Sequence, residues 1–245
     1  MSSAGPVFLR ADEIVHAQGL PPEAVDDITR VLLENRIGTV ALLFDIALAA
    51  GLSREVAIER CAALFFYIGA LQVADDLADH ECDYLELPEG SGTVSQIVLQ
   101  NLFFLTLARS GVPNEVLIEA AEHLVRGAGP QHFEIRTQQW TLEKTRAVAR
   151  GMGAEHFIAY LKLLLSGTPH VERAEWLGHR IGLLVHYYSD TLHRDDRLWT
   201  LPLAHRAAVL NEALEAAVEL KAESWLPVLT LVRTVEPPLR AALDR

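Results

Sequence analysis

Residues 62–79 read AALFFYIGALQVADDLAD, and this stretch decides the fold. Its first part carries one plainly polar side chain, Gln72, so a helix formed by it is apolar on every face and belongs in a protein core. Three aspartates then follow within five positions, and on a helix Asp75 and Asp79 share one face with Asp76 beside them. Carboxylates this close at the end of a buried stem repel each other. The stretch therefore predicts a site for a divalent cation bound by oxygen, Mg²⁺ above all.

The alternative is an ordinary acidic helix end in solvent, because His80, Glu81 and Asp83 follow the three aspartates. A second apolar stretch, residues 181–188, favours the metal site because it too runs into acids. Asp190 lies nearest to its apolar part and is the better ligand candidate, whereas a solvated turn is the expected place of Asp195 and Asp196. His186 and His193 are candidate proton acceptors, or polar residues satisfied within the fold.

The composition favours one large all-α domain. The chain has 245 residues, half of them apolar and only 7% aromatic, and good helix formers dominate it. We therefore expect a single helical bundle over residues 1–245, with apolar helices at its centre. The formal net charge of -12 argues against a nucleic-acid-binding surface, which needs clustered Lys and Arg.

The chain is expected to be cytoplasmic. Two cysteines, Cys61 and Cys82, suit a reducing compartment. The N-terminal residues lack the basic and apolar regions of a signal peptide. The longest apolar run, residues 61–71, is too short to span a bilayer, so no membrane span is expected.

Turn signals divide the chain into predicted helices. Ser53 is the expected N-cap of a long helix, Gly51 stops the preceding one, residues 88–92 form a loop, and the pair Pro237-Pro238 breaks the C-terminal segment. The predicted helices are 21–36, 37–50, 53–84, 94–109, 114–127, 131–138, 141–165, 171–199 and 204–226.

The order of these elements resembles the trans-isoprenyl diphosphate synthases, also called polyprenyl synthetases. Residues 75–79, DDLAD, resemble their first aspartate-rich motif, DDxxD, and residues 185–193, VHYYSDTLH, are similar to their second, FQxxDDxxD. Residues 130–134, PQHFE, are similar to the GQxxD element between the two. Order and rough spacing agree between residues 36 and 196.

The resemblance implies an all-α fold around a deep apolar cavity, and chemistry in which Mg²⁺ draws the diphosphate from an allylic prenyl chain while water is kept out. A homodimer, or a heterodimer with a related subunit, is implied as well. The implied catalytic and metal-binding residues are Asp75, Asp76, Asp79 and Asp190. The substrate-binding candidates are Arg36, Ile68, Leu71, Gln72, Gln131, Glu134, His186 and His193.

The departures from the family pattern are informative. The GKRxRP segment falls on residues 34–39, where Asn35 and Gly38 replace the lysine and the second arginine, and the histidine expected before DDxxD aligns near Ile68. These groups hold isopentenyl diphosphate in the family, so ordinary chain elongation is not expected. The paired arginines after DDxxD fall near Tyr84, and the second acidic motif keeps only Asp190 cleanly.

Two functions follow from this pattern. The first is a Mg²⁺-dependent isoprenoid enzyme, prenyltransferase-like or terpene synthase-like, which ionises an allylic prenyl diphosphate and cyclises it or transfers the prenyl group to another acceptor. The second is a catalytically silent partner subunit or prenyl-chain-binding protein of the same fold. A ferritin-like di-metal oxidase needs Glu-x-x-His pairs, which Glu122-His123 and Glu155-His156 do not supply.

Overall fold

The computed structural model describes residues 4–34, 37–78, 80–131 and 139–243. For Ile37 and Pro88 it describes the backbone alone. These residues form helices joined by turns, with no strand among them, so the predicted all-α fold is confirmed. They belong to two compact units, Met1–Val112 and Pro113–Arg245, and each unit is described by itself. A single domain with a deep central cavity stays a prediction.

The long apolar helix forms the core of the first unit. It contacts every other helix of that unit, and its residues 61–66 are buried on all faces, as their sequence predicts. The helices of this unit are α1 (Gly5–His16), α2 (Pro22–Glu34), α3 (Ile37–Ala49), α4 (Arg54–Ala78) and α5 (Pro88–Arg109).

Local signals fix where α4 begins. Gly51, with φ of 86°, adopts the left-handed conformation that ends α3. The Ser53 hydroxyl then accepts a hydrogen bond from the Val56 N–H at 3.4 Å, so Ser53 caps α4. Both predictions are confirmed.

One helix of the first unit was missed, and two predictions for this unit are wrong. Helix α1 was not predicted, although Val7, Ala11 and Ile14 recur at helical spacing and are buried. The predicted loop 88–92 is the first turn of α5, which begins at Pro88. Proline is tolerated there because an N–H in the first turn has no acceptor within the helix. Helix α4 does not reach Tyr84.

Two helices of the first unit have the length and composition of a membrane span: α4, and residues Glu89–Arg109 of α5. A core helix passes the same test, and 67% of the apolar window in α4 is buried. The expected absence of a membrane span stays a prediction.

The second unit is arranged around a helix that ends in Asp190 and His193. Its elements are α6 (Asn114–Ala128), α7 (Leu142–Val148), a π-helix (Ala149–Glu155), α8 (His156–Leu165), a 3₁₀ turn (Val171–Arg173), α9 (Ala174–His193), α10 (Asp196–Trp199), α11 (Leu203–Leu220) and α12 (Leu226–Leu243). Helix α9 contacts α8, α10, α11, α12 and the π-helix.

Glycines allow α9 to lie against its neighbours. A Cβ on Gly178 would lie 2.5 Å from the Ile158 Cα, and a Cβ on Gly153 would lie 2.7 Å from the Gly182 carbonyl oxygen. No side chain fits at such distances, so these positions require glycine. The backbones of α9, α8 and the π-helix therefore touch, next to His186.

The second unit also corrects several predicted helices. The predicted helix 141–165 is α7, the π-helix and α8 in succession, and the predicted helix 171–199 opens as a 3₁₀ turn and is interrupted after His193. The predicted helix 204–226 ends at Leu220. Most of the predicted helix 131–138 lies outside the described residues.

Helix α12 passes through Pro237 and Pro238, which were predicted to break it. Val228, Val232, Val235 and Leu239 are all buried, so one apolar stripe continues past both prolines against α11 and α9. Burial of that stripe outweighs the backbone hydrogen bonds that the two prolines remove.

Candidate functional site

The carboxylate of Asp76 is held on both oxygens at the end of α4. Gln72, one turn earlier, donates from Nε2 to Oδ1 at 2.6 Å, and the Tyr84 phenol donates to Oδ2 at 2.7 Å. Asp76 is only 9% exposed, whereas its neighbour Asp75 is half-buried. Both donors are neutral groups, so they orient the charge of Asp76 without cancelling it.

Tyr84 is built to donate. Burial raises the pKa of its phenol, and the hydrogen bond to Asp76 raises it further, so the phenol keeps its proton. Its neighbours Cys82 and Leu85 are both buried, and the Leu85 N–H donates to the Cys82 carbonyl at 3.2 Å. The position of Tyr84 is therefore fixed by the turn that carries it.

The chain leaves α4 through a left-handed residue. His80 has φ of 60°, and the Glu81 N–H donates to the Asp76 carbonyl at 2.8 Å. This is the bond that closes a helix after a left-handed residue, a position where glycine is usual. Asp76 thus contributes its carboxylate to the site and its carbonyl to the helix end.

A pocket of about 470 Å³ opens beside Asp76, within the first unit. Its wall combines the apolar side chains of Leu77 and Leu87 with acidic groups. The remaining lining residues are Asp76, His80, Cys82, Asp83, Glu89 and Gly90. The pocket suits a ligand that places an apolar group against the leucines and a metal ion against the carboxylates.

An arginine and a histidine face the acidic end of α9. Asp190 is only 2% exposed, and its Oδ1 lies 3.4 Å from Nε of Arg197 in an ion pair. Its Oδ2 lies 3.6 Å from Nε2 of His186, which is one turn earlier and half-buried. Arg197 also pairs with Asp195. Asp190 therefore does not point to solvent, and it shares the Arg197 guanidinium with Asp195.

The backbone at this second helix end repeats that of the first. Arg194 is left-handed with φ of 53°, and the Asp195 N–H donates to the Asp190 carbonyl at 3.0 Å. Asp195 then caps α10 by accepting from the Arg197 N–H at 2.9 Å. Asp196 is exposed, as predicted, but it is the first residue of α10 rather than part of a turn, and Asp195 is the cap of that helix.

Two arginines flank the ring of Trp199. The guanidinium carbons of Arg194 and Arg206 lie 5.6 and 4.8 Å from the centre of the Trp199 ring system. Neither forms an ion pair with a carboxylate among the residues that the structure describes. This end of the second unit is thus basic as well as acidic.

The other predicted site residues are distributed over both units. Ile68 is buried, Leu71 and Gln131 are half-buried, and His193 is exposed. Arg36, Asp79 and Glu134 lie outside the described residues, so their roles stay predictions. Asp76 belongs to the first unit and Asp190 to the second, and a cation shared by the two also stays a prediction.

Sequence reasoning missed Tyr84 and Arg197. Tyr84 follows Asp76 by eight residues in an irregular turn, where no helical spacing links the two positions. Arg197 follows a run of charged residues that resembles any solvated turn. A buried acid close in sequence to a phenol or a guanidinium was the available signal, but it is not specific.

The donor set at the first site fits a hard divalent cation, because the Asp75 and Asp76 carboxylates are the ligands that Mg²⁺ prefers. Each Asp76 oxygen accepts one hydrogen bond and retains a lone pair for a metal. Within the described ranges, no three His, Cys, Asp or Glu side chains are already grouped around one metal position. Asp79, the third predicted ligand, is outside those ranges.

Comparisons with known proteins identify the fold. No family model matches the chain, and no curated protein sequence matches it. Among solved structures, a geranyltranstransferase from Thermotoga maritima is 16% identical with a TM-score of 0.73, covering 98% of each chain. A geranyltransferase from Legionella pneumophila is 15% identical with a TM-score of 0.74, covering 99% of this chain and 96% of the other.

An isoprenoid synthase family member from Thermotoga neapolitana is 17% identical with a TM-score of 0.76, covering 97% of this chain and all of that one. Agreement over nearly the whole length of all three proteins shows that this chain has the isoprenoid synthase fold. The fold implied by the aspartate-rich motifs is confirmed.

Proposed function

We propose that this chain is a Mg²⁺-dependent isoprenoid enzyme that ionises an allylic prenyl diphosphate. It then cyclises the prenyl chain or transfers it to an acceptor other than isopentenyl diphosphate. The observation that carries the proposal is a buried, oriented Asp76 carboxylate beside a pocket, on the fold shared with two proteins named as geranyl-transferring enzymes.

The chain's own residues have separable tasks in this proposal. Asp75 and Asp76, with Asp79, hold Mg²⁺, which when bound neutralises the charge of the departing diphosphate. Gln72 and Tyr84 hold the Asp76 carboxylate in place. Apolar side chains such as Ile68 and Leu71 exclude water from the prenyl chain. His186 and His193 remain the candidate proton acceptors.

Turnover tests the proposal directly. The purified protein is incubated with geranyl, farnesyl or geranylgeranyl diphosphate and Mg²⁺, and released diphosphate and prenyl products are measured. We expect release with at least one substrate, and its loss in Asp76→Asn. Glu86→Gln is the matched control, because Glu86 is an exposed carboxylate in the turn that carries Tyr84 and does not line the pocket. No diphosphate release from any substrate contradicts the proposal.

The second candidate is a catalytically silent relative, and the Asp190–Arg197 ion pair favours it. A carboxylate neutralised by a guanidinium is a poorer ligand for a second metal ion than a solvated one. A protein of this kind binds a prenyl chain or a catalytic subunit and releases no diphosphate. Co-purification with an active subunit, unaffected by Asp76→Ala, supports this candidate over the enzyme.

The proposal includes a cytoplasmic location and a homodimer, or a heterodimer with a related subunit. An apolar stripe on α5 supports self-association: Val94, Ile97 and Phe104 recur at helical spacing and are 53–59% exposed. Sedimentation of the purified protein and of a Phe104→Ser variant measures the association. A monomeric wild-type protein contradicts the homodimer.

A further inference from the structure

We propose that Tyr84 is a positioning residue that holds the Asp76 carboxylate ready to bind a divalent cation. Gln72 assists by donating a hydrogen bond to the other oxygen of the Asp76 carboxylate. The inference rests on the proposed function only in taking Asp76 as a metal ligand. Tyr84 itself contacts neither metal nor substrate in this scheme and acts through Asp76.

The two hydrogen bonds leave the carboxylate one orientation. Gln72 donates to one oxygen at 2.6 Å and Tyr84 to the other at 2.7 Å. Rotation about the bond between Cβ and the carboxylate carbon breaks both contacts in a side chain that is 9% exposed, where water does not readily replace them. A ligand fixed before the metal arrives loses less freedom on binding.

The chemistry of Tyr84 matters as much as its place. An arginine that donated to the Asp76 carboxylate would neutralise it. A phenol donates a hydrogen bond to the carboxylate and brings no positive charge. The charge of Asp76 thus remains to attract a cation into the adjoining pocket.

The support behind Tyr84 is firm enough for this role. Cys82 is 2% exposed and Leu85 is 3% exposed, so the turn is anchored in the core on both sides of Tyr84. The phenol is therefore held by its own turn, while Gln72 and Asp76 are held by α4. Partners of this kind behind a metal ligand typically contribute about 10- to 100-fold in metal affinity.

Binding of Mn²⁺ measures the effect without requiring turnover. Mn²⁺ is titrated into the protein in the presence of inorganic diphosphate, and the free ion is followed by electron paramagnetic resonance. Tyr84→Phe removes only the donor, and we expect it to weaken Mn²⁺ binding by about tenfold or more. Gln72→Met removes the other donor with similar volume, and the expected direction is the same.

Tyr67→Phe is the matched control. Tyr67 is on the same helix as Asp76, and its ring contacts Phe103 at 5.0 Å between ring centres. Its phenol does not donate to Asp76, so its loss is expected to leave the Mn²⁺ affinity unchanged. Thermal unfolding of all variants checks that the folded fraction is the same, and Gln72→Met carries the test if Tyr84→Phe does not fold.

The outcomes separate this inference from the proposed function. Weaker Mn²⁺ binding in Tyr84→Phe and Gln72→Met, with the control unchanged, supports the positioning role even if no substrate is turned over. Equal binding in wild type and both variants overturns it, while diphosphate release would still support the enzyme. A wild-type protein that binds no Mn²⁺ overturns it as well.

Discussion

The two acidic helix ends have the same backbone conformation, but the groups that face their carboxylates differ in charge. At Asp76 and at Asp190, the aspartate carbonyl accepts an N–H from five residues later, past a left-handed residue that is not glycine. The carboxylate of Asp76 accepts from a phenol and an amide, whereas that of Asp190 faces Arg197 at 3.4 Å and His186 at 3.6 Å.

The difference teaches that a shared helix end does not make two equivalent metal sites. A carboxylate oriented by neutral donors keeps its charge for a cation, while a buried carboxylate beside a guanidinium is partly compensated within the protein. We therefore expect Asp76 to act mainly in binding and Asp190 mainly in stability.

Replacing the two aspartates has the largest expected effect and tests this division directly. Asp190→Asn removes the buried carboxylate that faces Arg197 and His186, while Arg197 keeps its ion pair with Asp195. We expect a loss of about 3 kcal/mol in the free energy of unfolding, the low end for removing one partner of a buried ion pair. Asp76→Asn keeps an amide oxygen for one donor, so a loss of about 1 kcal/mol is expected. Urea unfolding measures both.

The chain offers a separate probe for each unit in these experiments. All four tryptophans lie in residues 113–245 and both cysteines lie in residues 1–112. Fluorescence therefore follows the second unit and thiol labelling follows the first. A stable Asp190→Asn variant that has lost Mn²⁺ binding contradicts the division of roles, because it shows that Asp190 is a metal ligand.

Acid is expected to weaken the second unit through His156. Burial lowers the pKa of His156 from 6.5 to about 4, so as the pH falls the unfolded chain takes up this proton first. The stability that depends on neutral His156 is present above about pH 6.5 and is lost as the pH falls toward 4.

Between pH 7 and pH 5 we expect this group to lower the free energy of unfolding by about 2 kcal/mol. Urea unfolding followed by tryptophan fluorescence at both pH values measures the loss. His156→Gln, which does not titrate, should show a correspondingly smaller loss over the same range. An equal loss in the variant and the wild type rules out His156 as the cause.

The smallest expected effect concerns the backbone that the two ends share. His80→Gly and Arg194→Gly each place glycine where a left-handed residue is required, so each should stabilise the protein by about 1 kcal/mol or less. Urea unfolding measures the gain in the free energy of unfolding. Similar gains at both positions would show that the two helix ends differ in their side chains alone. A gain at one position only contradicts the equivalence of the two backbones.

Much of the fold could be predicted from local sequence. The apolar stem of α4 had to be buried, Ser53 and Gly51 marked its start, and the acidic motifs in order identified the fold that solved structures share. The predictions failed where tertiary packing outweighed a local rule. A buried stripe carries α12 through Pro237, and glycine contacts bring the π-helix against α9 within a segment that reads as one helix.

The site divides in the same way. The sequence by itself determined that carboxylates stand at the ends of two apolar helices, because helical spacing and hydrophobicity are local properties of the chain. Only the tertiary structure decided what each carboxylate meets. Tyr84 and Arg197 reach their aspartates through turns, where no periodicity relates position in the chain to position in space. Asp76 therefore meets a neutral donor and Asp190 meets a guanidinium.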